Sequence, residues 1–126
     1  MTVNEITPKL IERAVKALEG TGVLEVIPGN TLPGMNLMIK VRVKNKSKQE
    51  YLLFFHVKSI GQPRYIRMAV NELKDILTGK AKSYGIVGAP YLSEESAKIC
   101  KESGVGFIDL GVFWCQARKT SLPFSP

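Results

Sequence analysis

The apolar positions change period along the chain. In residues 8–19, PKLIERAVKALE, Leu10, Ile11, Ala14, Val15 and Leu18 recur at helical spacing. Thr7 suits the cap, Pro8 the first turn and Gly20 the exit, so the spacing predicts a helix over 8–19. Residues 23–27 (VLEVI) form a short strand that Pro28, Gly29 and Asn30 end. From Asn36 to Val43 the chain alternates, with Leu37, Ile39, Val41 and Val43 on one face and Met38, Lys40 and Arg42 on the other, which predicts a half-buried strand. A polar turn follows (45–49, NKSKQ), and then a nearly continuous apolar run over 51–58 (YLLFFHVK) of the kind buried on both faces of a sheet.

The second half alternates helix and strand. Ile66, Ala69, Val70, Leu73, Ile76 and Leu77 mark a helix that opens at Gln62-Pro63 and closes at Gly79. Residues 84–89 (YGIVGA) read as a buried strand. Ser93 caps a third helix with Glu94 and Glu95 in its positive first turn, and Gly104 ends it. Residues 106–110 (GFIDL) make a fifth strand, with Asp109 expected to hold a loop; residues 117–126 carry no readable pattern. The order is α-β-β-β-α-β-α-β. A meander followed by two crossovers predicts an α/β fold, a mixed five-stranded sheet flanked by helices on both faces.

The 126 residues match one domain, 1–126, able to bury a sufficient core without staples. No apolar run approaches the roughly 18 residues of a membrane span, and the first fifteen residues lack the apolar stretch of a secretory signal. Cys100 and Cys115 are too few for a disulfide framework or a four-thiolate zinc site, so a reduced, cytoplasmic protein is expected. The balance of 18 Lys+Arg against 11 Asp+Glu, net +7, suggests a polyanionic partner.

The segments FFHVKSIGQPRYIRMAVNEL (54–73) and YGIVGAPYLSEESAKICKESGVGFIDL (84–110) carry a specific combination. A buried strand ends in Lys58, a Gly-Gln-Pro-Arg turn opens a helix, and a later strand ends in Ala-Pro-Tyr. In this the chain resembles the restriction-endonuclease-like, or PD-(D/E)XK, superfamily, particularly a bacterial branch without assigned function, over about residues 23–110. The resemblance implies a divalent metal, Mg²⁺ or Mn²⁺, held by an Asp on the second strand and an acid two residues before the Lys. The Lys would steady the attacking water or the charge developing on phosphate. Strand alternation sends residues i and i+2 into one cleft, and hard Mg²⁺ takes anionic oxygen ligands.

The sequence departs from that pattern at both acids. His56 stands two residues before Lys58, and Asn36 is the best match to the first acid. Imidazole is a poor ligand for Mg²⁺ and a better one for transition metals. Glu72, on the helix after Lys58, is the candidate for a migrated acid, with Glu25 as a second donor; the bland reading, which leads, is a solvated boundary residue. The set Asn36, His56 and Glu72 would hold any metal, and with Lys58 would do any catalysis. His56 alternatively is a core histidine or a neutral phosphate donor. The alternatives for cofactor are therefore none, or Mg²⁺/Mn²⁺ if cleavage survives.

Phosphate binding has separate support. Gln62, Pro63 and Arg64 open a helix whose free N–H groups favour an anion, and Arg64 and Arg67 are one turn apart. Lys40, Arg42 and Lys44 share the polar face of one strand, with Lys46 and Lys48 in the turn beyond; they form either a solvated edge or a phosphate track. Tyr65, Tyr91 and Phe55 are core, rim or base-stacking groups. Phe113 and Trp114 form a late strand or a self-associating patch, which would make a homodimer. The expectation is a nucleic-acid-binding protein, DNA being the favoured partner, whose hydrolytic site is degenerate. The alternatives are an active endonuclease with an altered acid set and a protein-interaction module that kept only the scaffold.

Overall fold

A computed structural model describes residues 2–20, 22, 24–27, 31–32, 36–43 and 50–114. The Pro28-Gly29-Asn30 stop, Lys44, the 45–49 turn, Cys115 and the tail lie outside the described residues.

The first helix, α1, spans Val3–Glu19 and so begins five residues before Pro8. A stronger signal than proline sets its start. The Thr2 hydroxyl accepts from the Glu5 N–H at 3.2 Å, and the Thr2 N–H donates to Glu5 Oε1 at 3.1 Å, a reciprocal capping box. Thr7 does not cap; its hydroxyl donates to the Val3 carbonyl at 2.7 Å. Pro8 lies inside the helix, where it costs one N–H donor. Ile6, Leu10, Ala14 and Leu18, four residues apart, form the buried stripe.

The strands are β1 (Leu24–Ile27), β2 (Thr31–Leu32), β3 (Asn36–Val43), β4 (Glu50–Val57), β5 (Ser83–Gly88), β6 (Gly106–Ile108) and β7 (Phe113–Trp114). Their order across the sheet is β1-β3-β4-β5-β6-β7, with β2 also paired to β3. Pairing is antiparallel for β1–β3, β3–β4 and β6–β7, and parallel for β4–β5 and β5–β6. The five expected strands are thus present in the expected order. The two additions, β2 and β7, have two residues each, too few for a periodic signal. The strand expected over 106–110 stops at Ile108 because the next residue turns its carboxylate to a loop.

Alternation divides the core. Ile39, Val41, Val43, Leu53, Phe55 and Val57 face α1. Phe54, Val87 and Ala89 face the helices α2 (Pro63–Leu77) and α3 (Glu94–Ser103), which contribute Ile66, Ala69, Val70, Leu73 and Cys100. β4 is covered on both sides, as its apolar run requires. Gly88 permits the close approach of α1: a Cβ there would stand 2.9 Å from Leu10 Cδ1. Ser93 caps α3 by accepting from the Ser96 N–H at 3.2 Å, and Gly104 closes it with φ +77°. Because β4, β5 and β6 are parallel, the loops 58–62, 89–93 and 109–112 gather at one edge of the sheet, where their strands carry their carboxyl ends. No helix of the described residues is long and apolar enough to cross a membrane.

Candidate nucleic-acid interface

The residues the sequence singles out meet at the end of β4. His56 is 1% exposed and pairs in register with Asn36 on β3 and Val87 on β5. Lys58 continues the ladder one residue past β4, its N–H donating to the Gly88 carbonyl at 2.8 Å. Two-residue alternation places His56 and Lys58 on the α2 side with Phe54. Glu72, on α2, reaches both. Its Oε2 lies 2.6 Å from His56 Nε2 and its Oε1 3.5 Å from Lys58 Nζ. The lysine side chain is 17% exposed and the glutamate 47%. Glu72 is exposed to solvent at the rim of the cleft, and its carboxylate also bridges an imidazole and an ammonium.

Burial lowers the His56 pKa below its ordinary value of 6.5. The Glu72 carboxylate pulls upward and the Lys58 ammonium downward, and the net direction is down. The imidazole is neutral at neutral pH, with its Nε2 facing the Glu72 carboxylate. Asn36 stands opposite His56 through its backbone; its side chain lies outside the described residues.

This set does not fit a hard divalent cation. Mg²⁺ needs several oxygen ligands, usually anionic. The cleft offers one carboxylate, with an oxygen against His56 and the other near a cation. Among the described residues no three of His, Cys, Asp and Glu come together as a metal cluster. Glu25 lies on β1 opposite Arg42, away from Lys58. Cys100 is buried, which pushes its thiol up to about 12 and leaves it inert.

The start of α2 differs from the other two helix starts. Gln62 is its cap residue but makes no side-chain cap bond; Pro63 follows, and no acid occupies the first turn. The Gln62 carbonyl accepts from the N–H groups of Tyr65 and Ile66 at 3.0 and 3.1 Å. Arg64 and Arg67 part company. The Arg64 guanidinium lies over the Tyr65 ring, 5.4 Å from its centroid, whereas Arg67 Nη2 lies 3.7 Å from Glu95 Oε1 on α3. Both side chains remain on the surface.

The strand track is partly neutralised. Arg42 donates through Nε and Nη2 to Glu50 Oε2 at 3.1 and 2.9 Å, and Lys40 Nζ is 3.9 Å from Glu50 Oε1. Glu50 is the residue missed: it opens β4 directly opposite Arg42. Extending the predicted strand back by one residue would have exposed the pair. Of the three aromatics, Phe55 is core, Tyr65 is half-buried and Tyr91 is 71% exposed. Phe113 pairs with Ile108 in β7 and packs on the α1 core, so the late-strand reading holds for it; the Trp114 side chain lies outside the described residues.

No protein-family model matches the sequence, and no curated protein does. Solved structures do. EndoMS in an EndoMS-dsDNA2 complex aligns with TM-score 0.51 and 17% identity over 87% of this chain and 45% of that one. EndoMS in apo form aligns with TM-score 0.47 and 17% identity over 80% of this chain and 45% of that one. A repair endonuclease from Pyrococcus abyssi aligns with TM-score 0.43 and 15% identity, again over 80% and 45%. The chain spans less than half the length of each of these three proteins. At such identity the first likeness shows the fold, which is restriction-endonuclease-like.

Proposed function

We propose that this chain is a cytoplasmic DNA-binding protein that uses a nuclease-like fold to hold phosphate rather than to hydrolyse it. The observation that carries this reading is the Glu72 bridge. The carboxylate facing Lys58 is already shared between an imidazole and an ammonium, and no second carboxylate stands beside it among the described residues. An in-line displacement on phosphate needs a metal to lower the pKa of water and clamp the oxygens; the cleft lacks the anions to keep one. What it keeps is cationic: Lys58 at the strand end, then the acid-free start of α2 with Arg64 and Arg67. A helix start of this kind favours phosphate, and planar guanidinium forks suit it. The neighbour solved as an EndoMS-dsDNA2 complex supports DNA as the polyanion.

The test is a binding and cleavage assay on duplex and branched DNA in Mg²⁺ and Mn²⁺. The expected result is no cleavage, with affinity that falls steeply as salt rises. Arg64→Ala and Arg67→Ala should each reduce the salt slope by about one. The contact between Glu72 and Lys58 also supports the second reading, an endonuclease with a migrated acid; metal-dependent cleavage abolished by Lys58→Ala would establish it. Absence of DNA binding at low salt would leave a protein-interaction module on the same scaffold.

A further inference from the structure

Five large apolar side chains are exposed among the described residues, and four of them, Ile60, Tyr91, Leu110 and Val112, lie on the three loops at the carboxyl edge of the parallel strands. These loops are built to stay in place. The buried Asp109 carboxylate accepts the Gly111 and Val112 N–H groups on Oδ1, both at 2.7 Å, and the Leu92 N–H on Oδ2 at 3.0 Å. The Leu110 N–H donates to the Pro90 carbonyl at 3.3 Å, and the Ser96 hydroxyl to the Gly61 carbonyl at 2.6 Å. The 109–112 loop is thereby tied to the 89–93 loop and the 58–62 loop to the first turn of α3, and the four side chains stand on a fixed ridge. Adjacent strands are spaced by about 4.8 Å, so the ridge crosses roughly 10 Å from the end of β4 to the end of β6. Exposed apolar groups gathered in this way mark a contact surface.

The ridge has cations on both sides. On one side stand Lys58 and the start of α2 with Arg64. On the other is α1, whose stripe of Lys9, Arg13 and Lys16 follows helical spacing of four and three residues. Those three residues and Leu110 of the ridge line one surface cavity of about 570 Å³ together with Glu12 and Ala17. Lys16 is paired with Glu12 at 3.1 Å. The contact between Leu10 and the Gly88 position holds this part of α1 at the carboxyl edge. The α1 stripe therefore meets the ridge at Leu110.

We infer that the DNA surface runs from the start of α2 across the carboxyl edge onto α1, with Lys9 and Arg13 as a second phosphate-holding flank and Tyr91, Ile60 and Leu110 contacting sugars and bases between the two. This rests on the DNA-binding reading above and extends it to a footprint. Cations separated by an apolar and aromatic strip match a polyanion whose charged backbone borders uncharged sugar and base surface. Because the loops are held by hydrogen bonds, little ordering cost falls on binding.

The two parts of the surface leave different signatures, which the full chain reveals in DNA titrations at several salt concentrations. Lys9→Glu with Arg13→Glu should lower affinity at least tenfold and reduce the salt slope by about two. Tyr91→Ala should lower affinity about tenfold at every salt concentration and leave the slope unchanged, since it removes an uncharged contact. Lys74→Glu with Lys80→Glu, at the end of α2 far from this edge, makes the same change in net charge and should have a smaller effect on both. Thermal melts verify that each variant is folded; Tyr91 and the α1 cations are exposed, so all should match the unaltered protein. A Lys9/Arg13 variant that binds no worse than the Lys74/Lys80 variant, or a Tyr91→Ala variant that binds normally, would overturn the footprint while sparing DNA binding at α2. Failure of the unaltered chain to bind DNA would remove both together.

Discussion

Glu72 Oε1 lies 3.5 Å from Lys58 Nζ, so the carboxylate of the cleft occupies the cation that a phosphate would otherwise meet. DNA must compete with this contact. Glu72→Gln keeps a carbonyl oxygen for His56 and removes the charge. A half-exposed ion pair is worth about 0.2–1 kcal/mol, so releasing Lys58 should raise DNA affinity by about 1.5- to 5-fold. In a Lys58→Ala background the same substitution should have no effect. A double-mutant cycle in DNA binding measures the coupling; an equal gain in both backgrounds would mean that Glu72 acts only through the general field.

The depressed pKa of His56 makes stability depend on pH in a defined direction. Its folded value lies below the ordinary 6.5 because burial disfavours the imidazolium. The unfolded chain therefore takes up this proton first as pH falls. The stability contributed by the neutral imidazole is fully present above about pH 6.5 and is lost as pH descends toward and through the folded pKa. Urea unfolding of the unaltered chain and of His56→Gln between pH 8 and pH 5 tests this. The unaltered chain should lose more stability than the variant across the acid half of that range, and parallel curves would refute the assignment.

Asp109 accounts for much of the order at the carboxyl edge. Its carboxylate accepts three backbone N–H groups on two loops and is 7% exposed. Asp109→Ala leaves those donors without that acceptor. At about 1–3 kcal/mol for a buried donor left unpaired, and with some donors recovering water, the loss should be about 2–4 kcal/mol in urea unfolding. Amide exchange at Leu92, Gly111 and Val112 should rise more than at Ile86 in the β5 ladder, which separates a local loosening from a general one.

The parts of the fold legible in the sequence are those where periodicity and punctuation agree. The alternation of β3, the stripe from Ile66 to Leu73 and the Ser93 and Gly104 caps of α3 all stand where local patterns put them. Thr7 and Pro8 imitate a helix start, while the capping box that sets the start of α1 has its cap residue, Thr2, five residues before Thr7. The site was legible as a set of positions and not as contacts. Alternation predicts that His56 and Lys58 share a face, but the reach of Glu72 depends on how α2 lies across β4, which is a matter of packing. Glu50 was lost to a strand boundary one residue off, and with it the partner of Arg42. The Lys9, Arg13 and Lys16 stripe was readable as spacing, but only the fold brings it beside Leu110.

Gly61 is the tightest joint between two of the loops. A Cβ at this position would stand 1.8 Å from the Tyr91 carbonyl oxygen and 2.9 Å from its carbonyl carbon. Both are backbone atoms, so no rotamer change relieves the overlap; Gly61→Ala must push the 58–62 loop away from 89–93. That strains the bond from the Ser96 hydroxyl to the Gly61 carbonyl and shifts Tyr91 on the ridge. Overpacking of this kind costs about 1–3 kcal/mol, which for a domain of this size lowers the melting temperature by roughly 4 °C per kcal/mol. Gly111→Ala is the matched control. Its Cβ would meet only Asp109 Oδ1, at an ordinary 3.5 Å, and the change should remain within about 0.5 kcal/mol. If the ridge contacts DNA, Gly61→Ala should also weaken binding below its melting temperature while Gly111→Ala does not. Equal melting temperatures for the two variants would show that the loops are not locked together at Gly61.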